Sequence, residues 1–182
     1  MSAETGTPPR TNAEIVASYL DAVLHRDASA IDRFFHPQIE YIVNGAAVRD
    51  AGSRLPPISR ELGEALPWLG LHRGLTAVHS FFDCLHRNLD VTAYGPREVI
   101  SEGTRAGAFG WFRLHARPTG RIIDIPYSIF FELKDGLIIK YHFLESTFDV
   151  ASAFRRGGDW RIEREGETHA IPELKIMKEP RP

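Results

Sequence analysis

The sequence predicts an α+β fold: helices packed on one face of a curved antiparallel sheet. Two observations carry this. Apolar residues recur at helical spacing up to about residue 87, and from residue 91 to 143 they alternate between turn signals. The turn signals include Asp135-Gly136, the dipeptide of a tight hairpin.

The helices come first. Thr11 and Glu14 match a capping box, in which each side chain satisfies the other residue's backbone amide. Ile15, Tyr19 and Val23, beside Val16, Leu20 and Leu24, then form a wide apolar stripe. Asp27 can cap a second short helix carrying Ile31, Phe34 and Phe35, ending before Pro37. Residues 39–43 read as a strand ended by Asn44-Gly45. Residues 58–66 suit a helical turn or two, Gly70 and Gly74 bracket a turn, and Val78, Phe81, Phe82 and Leu85 mark a further helix. The organisation is thus three helices followed by a meander. Its expected strands are 91–101, 105–116, 122–133 and 137–143, with a short helix at 148–154. Residues 1–11 are expected to be disordered, residues 12–157 to form the domain, and residues 158–182 to pack on it or on a partner subunit.

Composition narrows the function. The chain has 182 residues and a net charge of -2, so it lacks the basic surplus of a nucleic-acid binder. No apolar run approaches a membrane span, and the N-terminus lacks a signal peptide's apolar stretch, which together read as a cytoplasmic protein. The single cysteine, Cys84, excludes a disulfide framework and reads as a small buried hydrophobe. His72, His79 and His86 stand seven apart, a helical step of ~10.5 Å that prevents two of them from sharing an ion. His79, Asp83 and His86 read as a solvated helix face rather than as metal ligands. Gly70 and Gly74 do not make a phosphate loop, because no Lys-Ser/Thr follows.

Side chains alternate across a strand, so each strand sorts its residues onto two faces. In 122–133, the set Ile123, Ile125, Tyr127, Ile129, Phe131 and Leu133 must be buried, and Tyr127 then needs a partner or a ligand. In 105–116, the set Phe109, Trp111, Arg113 and His115 suits either a ligand cavity or an outward or dimer face. In the last strand Tyr141, Phe143 and Glu145 share one face. A carboxyl following two aromatics into an apolar concavity would have a raised pKa and could shuttle protons. The alternative places Glu145 beyond the strand end, solvated or capping the helix containing Asp149. Trp68 is either a lid over the cavity or a loop anchor.

The layout resembles the SnoaL-like branch of the nuclear transport factor 2-like superfamily, with its ketosteroid isomerase, limonene epoxide hydrolase and polyketide cyclase relatives. The residues that carry the resemblance are the opening helix with Tyr19, the run 69–82, Pro118-Thr119-Gly120-Arg121, and the run 130–138. It implies a cone-shaped barrel, with a strongly curved antiparallel sheet wrapped around three N-terminal helices and a pocket open at one end. It also implies a homodimer and acid/base chemistry on a small apolar molecule, without metal or cofactor. Tyr19 falls near the isomerase's oxyanion-donating tyrosine. Ile129 falls where that enzyme has its protonated aspartate, and residues 41–44 contain no carboxylate where its base would be.

The expected function is an isomerase, cyclase or hydratase/dehydratase acting on an oxygenated metabolite, the alternatives being a carrier protein or an epoxide hydrolase. Glu145, His115, Arg113 and Tyr19 are the expected chemical groups. Trp111, Tyr127, Tyr141, Phe143, Asn44 and Trp68 are expected to hold the substrate.

Overall fold

A computed structural model describes residues 11–27, 29–47, 55–95, 97–158 and 160–171. The expected disorder before residue 11 lies outside them. In chain order the elements are α1 (Asn12–Leu24), α2 (Ala30–Phe34), β1 (Phe35–Val43), β2 (Ala46–Ala47), β3 (Pro57–Ile58), α3 (Arg60–Ala65), β4 (Gly70–Arg73) and α4 (Gly74–Asn88). There follow β5 (Leu89–Tyr94), β6 (Glu98–Glu102), β7 (Arg105–Ala116), β8 (Arg121–Lys134), β9 (Leu137–Glu145), α5 (Thr147–Phe154), β10 (Trp160–Arg164) and β11 (Glu167–Ile171).

Local chemistry explains the starts and stops. Both halves of the Thr11/Glu14 capping box form at α1. Asp135 and Gly136 both take the left-handed backbone conformation that a two-residue hairpin requires. The strand after α2 begins at Phe35 rather than Ile39. It tolerates Pro37 because its pairing with β9 is irregular between Phe35 and Glu40, so no ladder amide is needed there. The expected turn at residues 70–74 is a short strand, β4, pairing with β1. The expected strand 91–101 is two strands, β5 and β6, both paired with β7. The break falls at Gly95, where a Cβ would sit 1.6 Å from the Trp111 ring. Only a residue without a side chain lets the indole lie over the backbone there.

The architecture is mixed α+β with one large curved sheet, and two details depart from the expected barrel. Among the described residues the sheet is open, in the order β4-β1-β9-β8-β7-β5, with β6 also on β7. It is not wholly antiparallel either, because β9 lies parallel to β1. Among the described residues four helices rather than three precede the meander, interleaved with β1 and β4, and α5 follows it. The inner face packs against α1, α2 and α4 around Val16, Tyr19, Phe35, Ile39, Val78, Phe131 and Ile138, all buried. Truncating a ring such as Phe131 to alanine there costs about 3–5 kcal/mol.

After β9, α5 packs on β8 and joins the same buried core through Val150 and Ala153, and it is fixed at its C-terminus. The Thr119 hydroxyl donates to the Ala153 carbonyl (2.6 Å), and the buried Arg121 guanidinium donates to the Ser152 and Arg155 carbonyls. A cation at that end satisfies carbonyls without helical partners and favours the helix dipole. The C-terminal segment forms the β10–β11 hairpin, which touches the domain through Trp160 on Phe148 and Arg155 over the Trp160 ring.

Candidate active site

The inward residues of four neighbouring strands make a floor of stacked rings. Phe112 of β7 stacks on Tyr127 of β8, with ring centroids 4.2 Å apart and planes 15° from parallel. Tyr127 and Phe143 follow at 5.9 Å, then Phe143 and Tyr141 at 6.4 Å, both near-parallel. Tyr141 stacks on Tyr41 of β1 at 4.1 Å and 8°. Register produces this ladder, because Gly110 pairs with Tyr127 and Tyr127 pairs with Glu145. A Cβ at Gly110 would lie 2.7 Å from the Tyr127 hydroxyl, so the missing side chain gives Tyr127 its place.

The opposite wall comes from helices. Tyr19, Leu20 and Val23 of α1, with Phe81, Phe82, Leu85 and His86 of α4, face the ring floor. Trp68, buried before β4, closes one side. The space enclosed is about 110 Å³, of the order of the roughly 150 Å³ apolar cavity known to accept benzene.

Glu145 enters this space at the end of β9. Its Oε1 is buried with no hydrogen-bond partner, and burial pushes its pKa up to about 7. An uncompensated carboxyl in an apolar site favours its neutral form, so this group gains and loses a proton near neutrality. The backbone beneath it is clamped: Glu145 donates its N–H to Asn44 Oδ1 (3.0 Å), and Asn44 Nδ2 donates to Thr147 Oγ1 (2.6 Å). Asn44 itself has a φ of 63°, a conformation that asparagine adopts more readily than most residues.

Four phenols line the same space, Tyr127 with Tyr19, Tyr41 and Tyr141, and burial raises the Tyr127 pKa as well. Burial raises the Tyr19, Tyr41 and Tyr141 pKa values, Tyr141 to above the usual tyrosine range, so all three stay protonated. The Tyr19 hydroxyl has no partner within hydrogen-bond geometry. The Tyr41 and Tyr141 hydroxyls stand beside it.

The structure brings Glu145, Tyr19, Tyr127, Tyr141, Phe143 and Trp68 together around one cavity. It separates the other four expected residues from it. Arg113 lies on the outer sheet face, where it grips the cross-strand Asp124 with two 2.8 Å hydrogen bonds, raising its own pKa and lowering that of Asp124. His115 shares that face and stands 3.6 Å from Asp90. Trp111, also outward, covers Gly95. The amide of Asn44 is occupied on both sides by backbone and Thr147, so it positions the strand end rather than the substrate. The inward set of β7 is Ala108, Gly110, Phe112 and Leu114. With Arg113 turned outward, the epoxide hydrolase reading has no guanidinium in the cavity from this strand. The other histidines singled out are engaged elsewhere: His79 binds Asp32 (3.0 Å) and His72 the Trp68 carbonyl (3.0 Å).

Sequence reasoning missed Tyr41, Phe112, Arg26 and His86 as cavity residues. Alternation along residues 39–43 places Tyr41 with Ile39 and Val43 on one face, a signal that was available. For Phe112 the signal was the small, uncharged character of its set.

An open, strongly curved sheet with helices against its concave face defines a nuclear transport factor 2-like protein. The chain belongs to the SnoaL-like domain family, whose profile matches residues 16–141. Among solved structures it is similar to an NTF2-like protein from Burkholderia thailandensis E264 (19% identity, TM-score 0.64, covering 81% of this chain and 99% of that one). It is also similar to a protein provisionally called a polyketide cyclase from Pseudomonas putida KT2440 (15% identity, TM-score 0.60, 80% and 98% covered). A third is TerC, co-crystallised with polyporic acid (18% identity, TM-score 0.60, 76% and 94% covered). At these identities the likeness is one of fold. No curated protein sequence matches. No helix among the described residues is long and apolar enough to cross a membrane.

Proposed function

We propose that the protein is an acid/base enzyme that moves a proton on a small, ring-containing, oxygenated molecule, by isomerisation, cyclisation or loss or gain of water. The observation that carries this reading is the Glu145 carboxyl, buried, unpartnered and open to an aromatic slot. An ionised Glu145 takes a proton from carbon next to a substrate carbonyl. Charge then develops on the carbonyl oxygen, and the protonated Tyr19 hydroxyl can donate to it. One such donor in a site without water contributes about 2.7–4 kcal/mol to the transition state. Returning the proton at another carbon completes an isomerisation. If the nascent enolate instead expels a β-hydroxyl, with the protonated Glu145 giving its proton to the leaving oxygen as water departs, the outcome is dehydration. The names of the Pseudomonas putida relative and of TerC's ligand agree with a ring-shaped oxygenated substrate without identifying it.

The test is deuterium uptake by small cyclic ketones in heavy water, read by mass spectrometry. The protein should accelerate uptake, the rate should rise with pH through about 7, and Glu145→Gln should abolish the acceleration. Uptake by Glu145→Gln at the wild-type rate removes Glu145 from the chemistry. Unaltered recovery of every bound ketone favours the carrier reading.

A further inference from the structure

Resting on that reading, the geometry points to the substrate's class: we propose that it is an organic anion with a planar apolar body, whose carboxylate pairs with Arg26 at the cavity rim while the ring enters the slot toward Glu145. Arg26 lines the same cavity as Glu145 and the ring ladder, yet its side chain is 46% exposed, so it stands where the cavity meets solvent. It shares its counter-ion there. Arg26 and Arg117 both donate to one oxygen of Asp90, Oδ1, leaving two guanidinium groups against one carboxylate. A guanidinium has five donors and can keep Asp90 while offering others to an incoming anion.

The neighbours of this rim agree. His86 lines the cavity beside Arg26, and burial, then the Arg26 charge, lower its pKa against the opposing pull of Asp83 and Asp90. A largely neutral imidazole thus stands beside the Arg26 guanidinium at the cavity. The backbone of Arg26 adds an independent sign. It follows the α1 C-cap with a φ of 55°, a position that helices usually give to glycine or asparagine. An arginine at a place that favours glycine asks for a reason in its side chain.

Benzoate and its neutral analogue benzamide test the proposal at pH 6, where Glu145 is protonated. Calorimetric titration should find benzoate bound about tenfold more tightly or better. Arg26→Gly should remove that preference without lowering the melting temperature, because glycine suits the backbone there. Arg26→Lys should keep part of it. Arg113→Gln, an equal charge change on the outer face, should leave it intact. Equal affinities in the wild type, or a benzoate preference that survives Arg26→Gly, overturn the proposal. Deuterium uptake by neutral ketones reads the role of Glu145 separately, so an anion site can fail while the chemistry stands, and the reverse.

Discussion

The two faces of β7 differ in how they treat charge. Outward, Arg113 meets Asp124 in a two-pronged ion pair, and the site is finished. Inward, Phe112 and Leu114 lie in a space whose nearest carboxyl, Glu145, has no counter-ion. A charge that is paired is chemically quiet, whereas one that is buried and unpaired is poised to react. The reactive face of this sheet is therefore the one with fewer polar residues.

Substitutions can break or sharpen that contrast. The largest effect belongs to Glu145→Gln, which should cut turnover about a hundredfold or more in the deuterium assay. The same variant should be more stable than wild type at pH 8. The carboxyl has a folded pKa of about 7 against an ordinary value of 4.5. Between those values only the unfolded chain loses the proton, so wild-type stability falls as pH rises through that window and then levels. The difference approaches about 3 kcal/mol above pH 7 and vanishes below about 4.5, as thermal melts across pH will show. Asn44→Gly keeps the backbone conformation while deleting both side-chain bonds that hold the Glu145 strand end. It should cost about 1–3 kcal/mol in urea unfolding and flatten the pH–rate profile. Tyr19→Phe removes a hydroxyl that makes no well-formed hydrogen bond. It should leave stability equal or raised by up to about 1 kcal/mol while slowing uptake. Smallest of all, Arg113→Gln and His115→Ala should leave turnover and its pH profile at wild-type values.

Much of the inward face could be read from the chain. In β8 and β9 one alternating set is nearly all apolar, so Tyr127, Tyr141, Phe143 and Glu145 sort themselves onto one side. β7 misleads because its outward set carries large aromatics, Phe109 (46% exposed) and Trp111 (36%), while its inward set is small. The deciding fact is register. Arg113 lies opposite Asp124, which alternation had already put on the face away from Tyr127. Reading the two strands as a pair would have turned Arg113 and His115 outward. Asn44 was harder, because its role depends on a contact across 101 residues with the amide of Glu145. The open sheet edge and the parallel β1–β9 contact were equally hidden, since both depend on which strand lies beside which.

That parallel contact has a consequence for how the chain is made. β1 and β4 reach the other strands of the large sheet only through β9, which emerges about a hundred residues after β1. On the ribosome the early strands must wait, their apolar faces uncovered, until synthesis has passed residue 145. The molecule thus depends on its own last-built central strand, and a nascent chain halted before that point has no cavity at all.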